Sequence, residues 1–151
     1  MAQSNKDNPH PRRLSRELAL KILFQREFSS EPIAERDWAD LLEQSISPEL
    51  LSYGESLVKG VLQYQEQIDQ KLKSLARNWK LERMALIDRN LLRLGLFEML
   101  WMEAPLPPPI VINEYVDLAK KYGSTDSGSF VNGILDQAAK NQSVDSRLTK
   151  G

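Results

Sequence analysis

Apolar residues recur along this chain at helical spacing, and no segment sustains the period-2 alternation of a strand. Leu14, Leu18 and Ile22 form one stripe at i, i+4 spacing, which predicts a first helix from about Pro11 to Phe28. Ser29, Ser30 and Pro32 break it. A short second helix is predicted around Trp38, Leu41, Leu42 and Ile46, with Asp37 as its N-cap. Ser47-Pro48-Glu49 then combines a capping hydroxyl, a proline at N1 and an acid in the first turn, a clear start signal. The third helix runs through Leu50, Leu57, Val58 and Val61. Ile68, Leu72, Leu75 and Trp79 continue the pattern, on a fourth helix or an extension of the third.

Between Ala85 and Met102 apolar residues cover nearly the whole circumference of a helix, which predicts the buried centre of a bundle. Asp88, Arg89, Arg93 and Glu98 within it exclude a membrane span. Pro105, Pro107, Pro108 and Pro109 must end that helix, since interior proline lacks a donor and clashes with the preceding turn. The next helix carries Ile112, Tyr115, Val116 and Ala119 and ends at Gly123, expected as a left-handed C-cap after Lys120-Lys121. Ser124, Thr125 and Asp126 offer capping oxygens to a last helix whose core stripe is Phe130, Val131, Ile134, Leu135 and Ala138. Six or seven helices and no strands predict an all-α bundle. Polar residues 1–11 and 141–151 are expected as disordered tails around one helical domain, 12–140.

Composition narrows the function. At 151 residues, with 41% hydrophobic and 27% charged positions, the chain has the size and balance of one ordinary domain. Its net charge of −1 means that any nucleic-acid binding must use a local patch. The absence of cysteine excludes disulfides, zinc–thiolate sites, iron–sulfur clusters and thiol catalysis. With no apolar run of the ~18–20 residues needed to span a bilayer, and no signal peptide in the polar N-terminus, the chain reads as cytoplasmic. The sole histidine, His10, falls in the expected tail, so a serine–histidine–acid triad has no anchored base. Calcium-loop, Glu-x-x-His and glycine-rich phosphate motifs are also missing. No catalytic residue, cofactor or metal is expected.

Two features remain. Residues 10–28 carry Arg12, Arg13, Arg16, Lys21 and Arg26 against Glu17 and Glu27, a local net of +3. Arg12, Arg13 and Arg16 fall within roughly a 100° sector of one helix. Arginine's planar fork suits phosphate and can stack on exposed bases, although a solvated face accounts for the same residues. The second feature is the turn Gly123 to Phe130. It reads either as a capped turn with Phe130 in the core, or as an RNA-facing loop in which Phe130 stacks a base and Asp126 contacts sugar or base edges. Gly133, within the last helix, is explained at this level by close helix–helix approach.

Three segments together resemble the NusB family: RRLSRELALKILFQ (12–25), LERMALIDRNLLRLGLFEML (81–100), and PPPIVINEYVDLAKKYGSTDSGSFVNGILDQAAK (107–140). The resemblance implies two packed helical sub-bundles and a factor that binds boxA-type leader RNA jointly with a small-subunit ribosomal protein acting as NusE. That pair would join RNA polymerase and other Nus factors to suppress termination, particularly in ribosomal RNA operons. It also implies that Arg12, Arg13, Arg16 and Lys21 on the first helix, with Asp126 and Phe130, form the RNA surface. Phe24, Asp88 and Arg89 would lie toward the ribosomal protein. Leu14 interrupts the arginine run where family members often continue it with basic residues, which makes RNA affinity a property of the heterodimer. Two rivals stand beside this reading: a helical protein–protein adaptor without RNA specificity, and the RNA-binding portion of a ribosomal RNA methyltransferase, which would require a further cofactor-binding domain.

Overall fold

The computed structural model describes residues 10–150, with side chains described as far as Gln142. Among the described residues there are five α-helices: α1 (Arg13–Arg26), α2 (Pro48–Leu75), α3 (Leu86–Leu96), α4 (Pro108–Tyr122) and α5 (Ser127–Lys150). A seven-residue 3-10 helix, Glu35–Leu41, lies between α1 and α2, and a 3-10 turn, Leu81–Arg83, precedes α3. No strand occurs among the described residues, as the periodicity predicts. None of the described helices is long and apolar enough to cross a membrane.

The central position of α3 follows from its composition. Leu91, Leu92, Leu94 and Leu96 are all fully buried, because α3 contacts α1 and α2 on one side and α4 and α5 on the other. The helix therefore joins an α1–α2 layer to an α4–α5 layer. It continues as a π turn, Phe97–Trp101, before the prolines stop it. At the start of α2, Ser47 Oγ accepts from the Leu50 N–H at 3.3 Å, with Pro48 in the first turn. The third and fourth predicted helices are one helix with a bend at Tyr64 (φ −108°, ψ 17°). Aromatic packing occupies that bend: the Tyr64 ring lies 6.4 Å from Phe97 and 6.5 Å from Trp101.

Several expectations need correction. The second predicted helix is a 3-10 segment beginning before Asp37, held by buried Trp38, whose indole N–H donates to the Ile33 carbonyl at 3.1 Å. Gly123 is extended (φ −96°, ψ −162°), not left-handed. It is suited to glycine by crowding, since a Cβ there would strike Ser127 and the Ala119 carbonyl. Trp79, placed on the core pattern, lies beyond the end of α2 and is 58% exposed. At Gly133 a Cβ would meet nothing within 4 Å, so close helix approach does not explain a residue that costs about 1 kcal/mol of helix propensity. Of the expected N-terminal tail, residues 1–9 lie outside the described residues. His10 and Pro11 are described, and His10 accepts the Arg13 N–H on its carbonyl and the Arg12 N–H on Nδ1, at 2.9 and 3.1 Å. At the other end, α5 continues through residues 141–150, which contain neither glycine nor proline to stop it, and Gly151 lies outside.

Gly60 shows how closely α2 and the π turn approach. A Cβ at Gly60 would overlap the ring of buried Phe97, which is itself pinned by Tyr64. Gly60→Ala is therefore expected to destabilise the fold by about 1–3 kcal/mol through overpacking, despite alanine's better helix propensity. Urea unfolding checks this, and a gain in stability would contradict the packing.

Candidate nucleic-acid interface

The arginine-rich start of α1 is mostly turned inward. Arg16 is fully buried. Its Nε donates to Glu98 Oε1 at 2.9 Å, its Nη2 to Glu98 Oε2, and its Nη1 to Glu114 Oε1 at 3.4 Å. The Tyr115 hydroxyl donates to the same Glu98 Oε1 at 2.8 Å. Burial alone would weaken the guanidinium's hold on its proton, but the Glu98 bonds outweigh it and raise the Arg16 pKa above its ordinary value. Burial likewise pushes the Tyr115 hydroxyl pKa well up. Arg16 is thus a permanent internal cation and is corrected as an RNA-facing residue.

Arg13 is largely committed as well. It forms a two-pronged pair with Glu114 at 2.8 and 2.7 Å and bonds Asp117 at 2.9 Å. Burial raises the Glu114 pKa, yet the hydrogen bonds from Arg13 outweigh it and hold the carboxyl below its usual range. Arg12 and Lys21 remain without an ion pair among the described residues. Arg12 lies 4.2 Å above the Tyr53 ring centroid, and the Lys21 ammonium lies 5.8 Å from that of Tyr122. The net +3 of this segment is therefore a poor measure of the charge it shows to solvent.

The turn before α5 opens on a different surface. Asp126 is exposed and Phe130 half-buried. Phe130 meets Trp79 edge to face, with centroids 5.4 Å apart and planes at 72°. Both line a cavity of about 530 Å³ together with Arg83, Met84, Asp88 and Asp126. A second cavity, about 590 Å³, lies against the same two rings and is lined by Arg77 and Gly133. Phe130 thus belongs partly to the core and partly to an open groove. Asp88, expected beside the protein partner, shares this groove with Asp126 and Phe130. It is 8% exposed, and its Oδ1 is buried without a hydrogen-bond partner.

Phe24 and Arg89 belong elsewhere. Phe24 packs edge to face on Phe28, which is 68% exposed, at 5.0 Å. Arg89 bonds Glu27 at 2.9 Å and the Leu81 carbonyl at 3.3 Å. The sequence pattern places Trp79 on the core stripe and gives no role to Arg77 or Arg83. The available signal was RNWKLER (77–83), three cations and an aromatic in a short segment between helices. Among the described residues no group of His, Asp or Glu side chains is arranged to hold a metal.

Comparison with known proteins agrees with this architecture. The model of the NusB family matches residues 13–140. The transcription antitermination protein NusB of Bdellovibrio bacteriovorus is 49% identical over 129 residues, covering 85% of this chain and 95% of that protein. Its counterpart in Desulfitobacterium hafniense is 42% identical over 144 residues, covering 93% of this chain and 94% of that protein. Among solved structures, T. maritima NusB superposes with a TM-score of 0.78 at 34% identity, over 87% of this chain and 92% of that one. A structure of the antitermination factors NusB and NusE in complex with dsRNA gives 0.72 at 26% identity, over 86% of this chain and 96% of that one.

The opposed placements of Arg12 and Arg16 predict opposed outcomes. Arg16→Met leaves buried Glu98 without its cation, while Glu114 keeps Arg13, and should cost roughly 3–5 kcal/mol of stability. Arg12→Glu, at a half-buried stacked position, should leave the fold standing. Thermal unfolding of both variants checks this; equal melting temperatures would refute the internal brace.

Proposed function

The chain belongs to the NusB family, and on that premise we propose that it binds boxA-type leader RNA jointly with the small-subunit ribosomal protein acting as NusE. It is a transcription antitermination factor and not an enzyme. In this reading the heterodimer joins RNA polymerase and other Nus factors in the bacterial cytoplasm and suppresses termination, chiefly on ribosomal RNA operons. The observation that carries the RNA assignment is the groove where Phe130, Asp126 and Asp88 meet. It offers an aromatic face, an exposed carboxylate and an unpartnered buried acceptor, the set that recognises the face and N–H edge of an unstacked base.

The residues divide accordingly. Arg12 and Lys21 supply positive charge beside α1, while Asp126 and Phe130 read the RNA. Arg13 and Arg16 act indirectly, by holding α1 against α3 and α4. Phe24 and Arg89 face the ribosomal protein, and exposed Phe28 extends that surface. Asp88 serves the groove as much as the partner.

The test is a salt titration of binding to a boxA-type RNA and a scrambled control, with and without the ribosomal protein. Tighter, sequence-selective binding in the heterodimer is expected, and the salt slope counts the phosphates contacted. Absence of selectivity in both states would leave a helical protein–protein adaptor as the better description.

A further inference from the structure

We infer that the α2–α3 loop, residues 77–83, and the Phe130–Gly133 face of α5 form a pocket for one unstacked base of single-stranded RNA, with Trp79 as its stacking platform. This rests on the RNA reading above and extends it to residues that reading does not use.

Four observations converge on the Trp79–Phe130 pair and the two cavities it lines. Arg77, Lys80 and Arg83 are exposed, and none has a carboxylate within ion-pair distance among the described residues, in contrast to Arg13 and Arg16. Against Glu82 alone they give the loop a net +2 in a chain whose total is −1. Trp79 is left 58% exposed while its ring is steadied by the edge-to-face contact with Phe130, so a flat hydrophobic face is presented ready-made. Gly133 lines the cavity of about 590 Å³ against Trp79 and Phe130, where a Cβ would meet nothing; the open volume, not helix packing, is what a larger residue would remove. Asp88 Oδ1 beside the groove lacks a donor.

The distribution of charge selects the occupant. Asp88, Asp126 and Arg83 line one of the two cavities that share Trp79 and Phe130, Arg77 lines the other, and Lys80 is exposed on the same loop. An acidic peptide would bring its carboxylates toward two others. A nucleotide divides its chemistry as the groove does: a neutral base with N–H donors stacks inside, and its phosphates stay outside near the cations.

The experiment measures binding of the full chain, with its ribosomal-protein partner, to a labelled single-stranded boxA-type RNA by fluorescence anisotropy. Trp79→Ala should weaken binding roughly tenfold, and Trp79→Phe should restore most of it, because stacking needs an aromatic face. Arg77→Gln, Lys80→Gln and Arg83→Gln combined should lower the slope of log K against log salt by about 2. Gly133→Leu should weaken RNA binding while matching or raising the melting temperature, since leucine is the better helix former. Unchanged affinity and slope in variants of a chain that itself binds RNA would overturn the pocket and leave the RNA reading standing. Loss of the ribosomal protein rather than RNA would make the loop a protein surface and also overturn it. No RNA binding by the unaltered pair would overturn both.

Discussion

A single buried guanidinium organises this fold. Arg16 on α1 joins Glu98, on the π extension of α3, and Glu114 on α4, while Tyr115 closes the network on Glu98. Three helices from separate parts of the sequence are thereby fixed in rotation and register. A buried ion pair adds little net stability, because desolvation offsets much of the attraction. Its contribution is geometric. With two carboxylates already inside, only an arrangement that brings the cation to them is tolerable, and the planar fork of arginine matches Glu98 where a lysine would not.

That network also decides which charges are free. Arg16 and Arg13 are drawn into the molecule by Glu98, Glu114 and Asp117, so the arginine-rich motif works chiefly as a brace. The cations left in solvent lie partly on the loop between α2 and α3, next to the aromatic pair and the turn before α5. In the proposed function, the RNA surface is consequently less a property of α1 than of the junction between the two layers. Bracing and recognition stay connected, because the same α3 that carries Asp88 at its start leads into Glu98 beyond its end.

Much of the fold was legible from local pattern. The apolar circumference of residues 85–102 announced α3 as the centre, and Ser47-Pro48 marked the start of α2 through chemistry acting over three residues. What local pattern could not supply was partnership across the chain. A helical wheel groups Arg12, Arg13 and Arg16 on one side, but Glu98 stands 82 positions from Arg16. Trp79 fitted an apolar repeat that the end of α2 at Leu75 interrupts. Gly133 looked like a packing glycine because sequence shows the missing side chain and not the empty space beside it. Sequence places Asp88 and Asp126 on different surfaces, since nothing in their spacing shows that α3 and α5 begin at one groove.

Arg16 is structural, whereas in the proposed function RNA meets the surface around Trp79 and Phe130. Nitrogen-15 NMR of the full chain, titrated with boxA-type RNA alongside the ribosomal protein, reads both at once through the Trp79 indole N–H and the Arg16 Nε–H. RNA is expected to shift the Trp79 resonance and to leave that of Arg16 unmoved. A shift at Arg16 with Trp79 unchanged would contradict this.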